Sequence, residues 1–238
     1  MIKWQNPLLT LGERCVAFAE NEMNNGVKED SPNSFTSARI REYFSICTRL
    51  VNGKEVPQTG FVKGNWCAAS ASFCMNKSLL PGEIAPHGCR LGVVEIVSDL
   101  QKQGLFRSVQ DALSESYMIE VGDLIIFDRS QPGKPETAWY RHIGRVYEVS
   151  TQVYFHHTDF KCISGNSGGC WKISSHNTSQ KNLLGFGQYP TNNVPTKITQ
   201  PVDWSSIDLN DLAPSHDTGD NLEADDFNSI FKDHFGKK

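Results

Sequence analysis

The chain has 238 residues, 38% of them hydrophobic and 21% charged, with a formal net charge of −4. That is enough apolar material for one ordinary core and a small appendage. The acidic balance and the lack of a basic block exclude a surface built mainly for nucleic-acid phosphates, which needs clustered Lys and Arg. No apolar run is long enough to span a bilayer, and the first ten residues lack the apolar core of a secretory signal, so cytoplasmic synthesis without stable membrane insertion is expected. Seven scattered cysteines are odd in number, as reduced thiols are and a disulfide framework is not.

In chain order, Thr10 with Glu13 reads as a capping box, and Leu11, Cys15, Phe18 and Ala19 follow at helical spacing until Asn24-Asn25-Gly26. Residues 37–50 place Ile40, Tyr43, Phe44 and Cys47 on one face, predicting a second helix. A third is expected from about Asn65 to Met75, rich in Ala and Ser, before Pro81-Gly82. A fourth spans Gly92–Gln103, with Val93, Ile96, Val97 and Leu100 on one face and Gly104 after its end; a short fifth starts at Ser108, with Asp111 three residues on.

From Val121 the pattern turns to apolar, β-rich runs at Leu124–Phe127, His142–Val149, Gln152–Phe155, Phe160–Ile163 and Leu183–Phe186. Helices first and strands second is the order of an α+β domain, with helices covering an antiparallel sheet. The domain is predicted to cover residues 1–195. Residues 196–238 form an acidic tail, free of aromatics from Asp208 to Asp226. Phe227, Ile230, Phe231 and Phe235 at its end make one face of a short helix, which either folds back on the domain or docks on a protein partner.

Three segments carry candidate chemistry. In Asn65-Trp66-Cys67-Ala68-Ala69, a cysteine at the first turn of a helix meets unpaired N–H groups and the positive end of the dipole, which favour a thiolate. In Arg141-His142-Ile143-Gly144, a histidine opening a strand can take a proton from a thiol. In Gly165-Asn166, an amide follows a strand and can orient an imidazole. Taken singly, each has a structural alternative: an inert buried thiol, a satisfied core histidine and an ordinary turn. His156-His157 with Cys162 and Cys170 fits no common zinc spacing, and His87 with Cys89 makes an unpersuasive second catalytic pair, so no metal or organic cofactor is expected.

Together the segments resemble the CHAP and NlpC/P60 families of peptidoglycan hydrolases. The likeness lies in order and context: a helix ending in Tyr43-Phe44, then Trp66-Cys67-Ala68-Ala69, Gly122-Asp123-Leu124-Ile125-Ile126-Phe127, His142-Ile143-Gly144, Gly165-Asn166 and Gly185-Phe186-Gly187, over about residues 10–190. The resemblance implies a papain-like α+β fold with N-terminal helices packed on an antiparallel sheet. It further implies Cys67 as nucleophile, His142 as base and then acid, and Asn166 as the residue orienting His142. Trp66, Arg141 and Asp123 are the candidate substrate-binding residues, Arg141 as a contact for a stem-peptide carboxylate. Arg141 stands where the family has Gly, Ser70-Ala71 where it has bulkier residues, and Ser164 where an acidic residue is common.

The expected function is hydrolysis of an amide bond in peptidoglycan, as an N-acetylmuramoyl-L-alanine amidase or a stem or cross-bridge endopeptidase, at the cell wall after release, export or virion delivery. Two alternatives stay open: a non-catalytic binding or virion structural protein on the same fold, and a cysteine protease or amidase acting on a protein.

Overall fold

The computed structural model describes residues 2–31, 37–51, 54–57, 65–129, 141–150 and 157–189. The expected strand Gln152–Phe155, the tail and its terminal apolar face lie outside the described residues. A 3-10 turn at Lys3–Gln5 leads into α1 (Leu11–Asn24). The capping box forms: Glu13 N–H donates to Thr10 Oγ1 at 3.2 Å and Thr10 N–H to Glu13 Oε2 at 2.8 Å, satisfying two end donors of the helix.

The second helix is shorter than the periodicity predicts. α2 covers Ala38–Ser45, after which Thr48–Val51 (β1) pairs antiparallel with Lys54–Pro57 (β2). The N–H of Thr48 goes to Cys89 O at 2.7 Å instead of continuing the helix ladder, and β-branched Thr48 and Val51 suit the extended form. Cys47 is nonetheless buried, its thiol donating to Tyr43 O at 3.2 Å. The third helix, α3, is Cys67–Ser78 with Trp66 at its N-cap, starting two residues later than expected. α4 (Val93–Lys102), β3 (Phe106–Ser108) and α5 (Val109–Leu113) follow, α5 entered through a capping box between Ser108 and Asp111.

The sheet is built from β3 with β4 (Leu124–Asp128), β5 (Arg141–Val149), β6 (Asp159–Ser164), β7 (Lys172–Asn177) and β8 (Leu183–Gly187). Its order is β3-β8-β4-β5-β6-β7, every neighbouring pair antiparallel. Because side chains alternate across a strand, one sheet serves two cores. Leu124, Ile126, Ile143 and Ile163 face the larger core with Leu11, Phe18, Tyr43, Phe73 and Ile96 of the helices. Ile125, Phe127, Val146, Phe160, Cys162 and Phe186 face the smaller one, which Tyr117 and, from α5, Val109 and Ala112 cover. The mixed α+β architecture expected from the sequence is therefore present.

α1 is brought onto the sheet by a backbone contact. Gly122, just before β4, has φ +97, and a Cβ there would sit 2.2 Å from the carbonyl carbon of Gly12, so only glycine permits this approach. Buried polar groups are well partnered around α1. Glu22 accepts two bonds from Arg39, at 2.8 and 2.6 Å, and one from Tyr43 Oη at 2.5 Å, while the Trp171 indole N–H donates to Tyr43 Oη at 3.1 Å.

Candidate active site

Cys67 is the first residue of α3, so the helix-start amides lie beside its thiol. Its sulfur accepts the backbone N–H groups of Ile143 and Ala68. The bond from Ile143 has a topological cause: β5 pairs with β6 only from Arg145↔Ile163 onward, which leaves the Ile143 amide for the sulfur. The α3 terminus is thereby attached to β5 at the residue after His142. Ser70 Oγ–H closes the first turn by donating to Cys67 O at 2.8 Å.

Cys67 is only 4% exposed. Burial pushes its thiol above the ordinary value; the neighbouring backbone N–H groups and the charge of Arg129 pull the other way and do not overcome it. His142 is 3% exposed, and burial, followed by the charges of Arg129 and His176, drives its pKa down to about 3. The resting pair is thus a neutral thiol and a neutral imidazole. The His142 ring stacks on Phe127, centroids 6.3 Å apart, and Phe127 also meets His176 of β7 at 4.6 Å. His142 therefore lies on the smaller-core side of the sheet, while Ile143 beside it faces α3. Among the described residues no hydrogen bond joins Cys67 to His142, and His142 Nε2 is buried with no partner.

The other sequence-predicted residues sit as follows. Asn166, at φ +62, donates from Nδ2 to Asn65 Oδ1 at 3.1 Å. It ties the turn after β6 to the residue two before Cys67, and among the described residues no hydrogen bond joins it to His142. Gly165 beside it lets the turn close on α3: a Cβ would stand 2.5 Å from the Trp66 ring and 2.6 Å from Ser70 Oγ.

Trp66 is fully buried, its indole N–H donating to Glu29 Oε1 at 3.0 Å and its ring set edge-on to Trp171 at 6.1 Å. It supports the start of α3 and offers no face to a ligand. Asp123 is buried too, accepting Tyr117 Oη–H and the N–H groups of Glu120 at 2.9 Å and Tyr189 at 3.0 Å. Burial raises its pKa to about 6 against those donors. Neither Trp66 nor Asp123 is positioned to bind substrate, because both are sealed and occupied. Arg141 is exposed at the start of β5, directly opposite Asp128 in the register.

His87 belongs to a buried chain away from the site. Its Nδ1–H donates to Gly88 O at 2.7 Å, so Nε2 accepts from Tyr189 Oη at 2.6 Å, and Tyr189 Oη accepts from Arg145 at 2.8 Å. Arg145 is fully enclosed; it also donates to Gly122 O and Ala71 O and lies 4.4 Å from the Tyr189 ring centroid. Beside it, Cys67, Ser70, Cys74, Ile143 and Trp171 line a small internal cavity with room for about one water. Among the described residues no group of three or more His, Cys, Asp and Glu side chains is placed to hold a metal ion.

The reading of the sequence missed Arg129, whose charge reaches both Cys67 and His142. The available signal was a cation two residues after the apolar run Leu124–Phe127, just past the end of the strand that pairs with that of His142. No protein-family model, curated protein or solved structure matches the chain.

Proposed function

We propose that the chain is a cysteine hydrolase of amide bonds, of the CHAP and NlpC/P60 kind on a papain-like fold, with peptidoglycan as its substrate. The observation that carries this reading is the placement of Cys67: a helix-start thiol attached to β5 at the residue next to a buried histidine whose Nε2 has no partner. A neutral imidazole is the form that accepts a proton, so His142 takes the thiol proton as Cys67 Sγ attacks the amide carbonyl. The helix-start N–H groups at Cys67 and Ala68 are the nearest donors for the developing oxyanion. Collapse breaks the C–N bond, the imidazolium returns its proton to the leaving amine, and water hydrolyses the thioester to regenerate Cys67. At rest no bond joins the two side chains and His142 lies on the smaller-core side of the sheet, so the step requires the start of β5 to rearrange and bring the imidazole to the face that meets α3.

A second reading, a binding or virion structural protein on the same architecture, is favoured by the near-complete burial of Cys67. The two separate in one experiment. Purified peptidoglycan is incubated with the parent and with Cys67→Ala, both checked for folding by circular dichroism, and soluble fragments are identified by mass spectrometry. The hydrolase reading expects fragments from the parent alone, whose new termini name the bond cut. Equal release by both, or none by the folded parent, removes it. Cleavage of a protein substrate in place of peptidoglycan would keep the Cys67 chemistry and replace the substrate. No helix among the described residues is long and apolar enough to cross a membrane.

A further inference from the structure

Arg129 directly follows β4 and has the same parity as Phe127, whose partner across the strands is His142. The residue is exposed, and its guanidinium reaches the turn after β6, where Nη2 donates to Ser167 Oγ at 3.5 Å. Ser167 Oγ is itself bonded to Ser164 Oγ at 3.0 Å, and Asn166, in the same turn, is bonded to Asn65 at the head of α3. The cation is therefore anchored to the turn that is fastened beside Cys67.

Its field reaches both members of the candidate pair, lowering the thiol of Cys67 and the imidazole of His142. In return the groups acting on Arg129 are Cys67 and Cys162, with partial burial disfavouring its charge. No carboxylate among the described residues forms an ion pair with it, whereas Arg141 stands opposite Asp128. A partly desolvated guanidinium that has no counter-ion among the described residues is suited to an anion that takes two of its donors, and one planar fork matches one carboxylate.

We propose that Arg129 is the specificity-determining residue of the Cys67 site, holding a carboxylate that the substrate carries near its scissile amide. The substrate class is then an amide with a free carboxylate close to the cleaved bond. The part concerning a scissile bond rests on the hydrolase reading; the anion site itself does not.

The test uses the full chain and two small alkylating reagents, anionic iodoacetate and neutral iodoacetamide, with modification of Cys67 followed by peptide mass spectrometry. Both need the same thiolate, so their rate ratio cancels the acidity of Cys67 and reports the charge beside it. Arg129→Gln is expected to lower the iodoacetate-to-iodoacetamide ratio roughly tenfold, the scale of one charge contact near a protein surface, and Arg129→Lys to recover most of it. An unchanged ratio in Arg129→Gln, or no labelling of Cys67 by either reagent in the parent, overturns the proposal. If peptidoglycan is cleaved, KM for a free-acid stem peptide should rise in Arg129→Gln far more than KM for its carboxamide. Equal effects on both sink the anion site and leave the hydrolase intact. A ratio that follows Arg129 in a chain that cleaves nothing keeps the anion site and removes the hydrolase.

Discussion

The sulfur of Cys67 accepts the backbone N–H of Ile143, so the head of α3 is fixed to β5 one residue from His142. Two influences on this thiol oppose each other. The helix start and its donors favour a thiolate, while enclosure in the core favours the neutral thiol. With the residue 4% exposed, enclosure wins, and the same enclosure holds His142 neutral. Cys67 and His142 therefore do not rest as a thiolate–imidazolium pair.

Thiol reactivity reads this directly. Alkylation of Cys67 by iodoacetamide should stay slow through pH 6–8 and rise only above about pH 9, following ionisation of a thiol whose pKa is raised above the usual value. A rate already at its plateau near pH 6 would mean a preformed ion pair and would contradict the geometry of β5.

The turn after β6 is packed against α3 as tightly as backbone allows. In Gly165→Ala the new methyl would meet the Trp66 ring at 2.5 Å and Ser70 Oγ at 2.6 Å, and Trp66 is fully buried with no room to yield. The expected cost is about 1–3 kcal/mol, seen as a lower urea midpoint, with a changed near-ultraviolet signal from Trp66 and Trp171. An unaffected midpoint would show that the turn does not press on α3.

Much of this fold was legible in the sequence because local chemistry and tertiary contacts agree. Thr10 and Glu13 form the capping box they spell, and the apolar runs at 124–127, 142–149, 160–163 and 183–186 are all strands. The failures have distinct causes. Tyr43, Phe44 and Cys47 keep helical spacing past the helix end because Cys47 is buried from an extended segment, whereas Asn52-Gly53 is the hairpin signal that periodicity overrode. β7 is an edge strand of Lys, Ser, His and Asn with a largely solvated pattern, so no apolar alternation announces it. At the site, motif order singled out Cys67 and His142 as candidates, but which face of β5 each residue takes depends on register. Register likewise turned Asn166 to Asn65, enclosed Trp66 and Asp123, and brought in Arg129.

Glu22 accepts three side-chain hydrogen bonds in the helical layer. Glu22→Ala removes the acceptor of three bonds, two from Arg39 and one from Tyr43 Oη, and leaves a buried hydroxyl and a half-shielded guanidinium without it. Breaking such a pair from one side should cost on the order of 3 kcal/mol. Because Tyr43 also receives the Trp171 indole and both pack beside Trp66, Glu22→Ala should affect Cys67 only by loosening this aromatic cluster, which would speed its alkylation by lessening the enclosure of the thiol. Chemical denaturation of Glu22→Ala and Tyr43→Phe separates the carboxylate from the hydroxyl; equal, small losses would show that the network contributes little.

Acid stability follows from the buried histidines. His87 and His142 have folded pKa values pushed down from 6.5 to about 4 and about 3, burial being the largest cause in each. A lowered folded pKa means that the unfolded chain binds the proton first. Their contribution is complete above pH 6.5 and is lost as pH falls from there toward 4, by roughly 3 kcal/mol for His87 alone. Asp123 acts with the opposite sign: its folded pKa, raised to about 6, stabilises the protonated fold at low pH, and that contribution fades as pH rises through 6. Two histidines against one carboxylate leave a net loss on acidification between pH 6 and 4. Urea midpoints should therefore be level above pH 7 and fall below pH 6.5. His87→Gln, which keeps a polar group for Tyr189 Oη but cannot take up a proton, should lower the plateau and flatten the slope below it. A midpoint equally steep with and without His87 would mean that its imidazole is not held neutral by the fold.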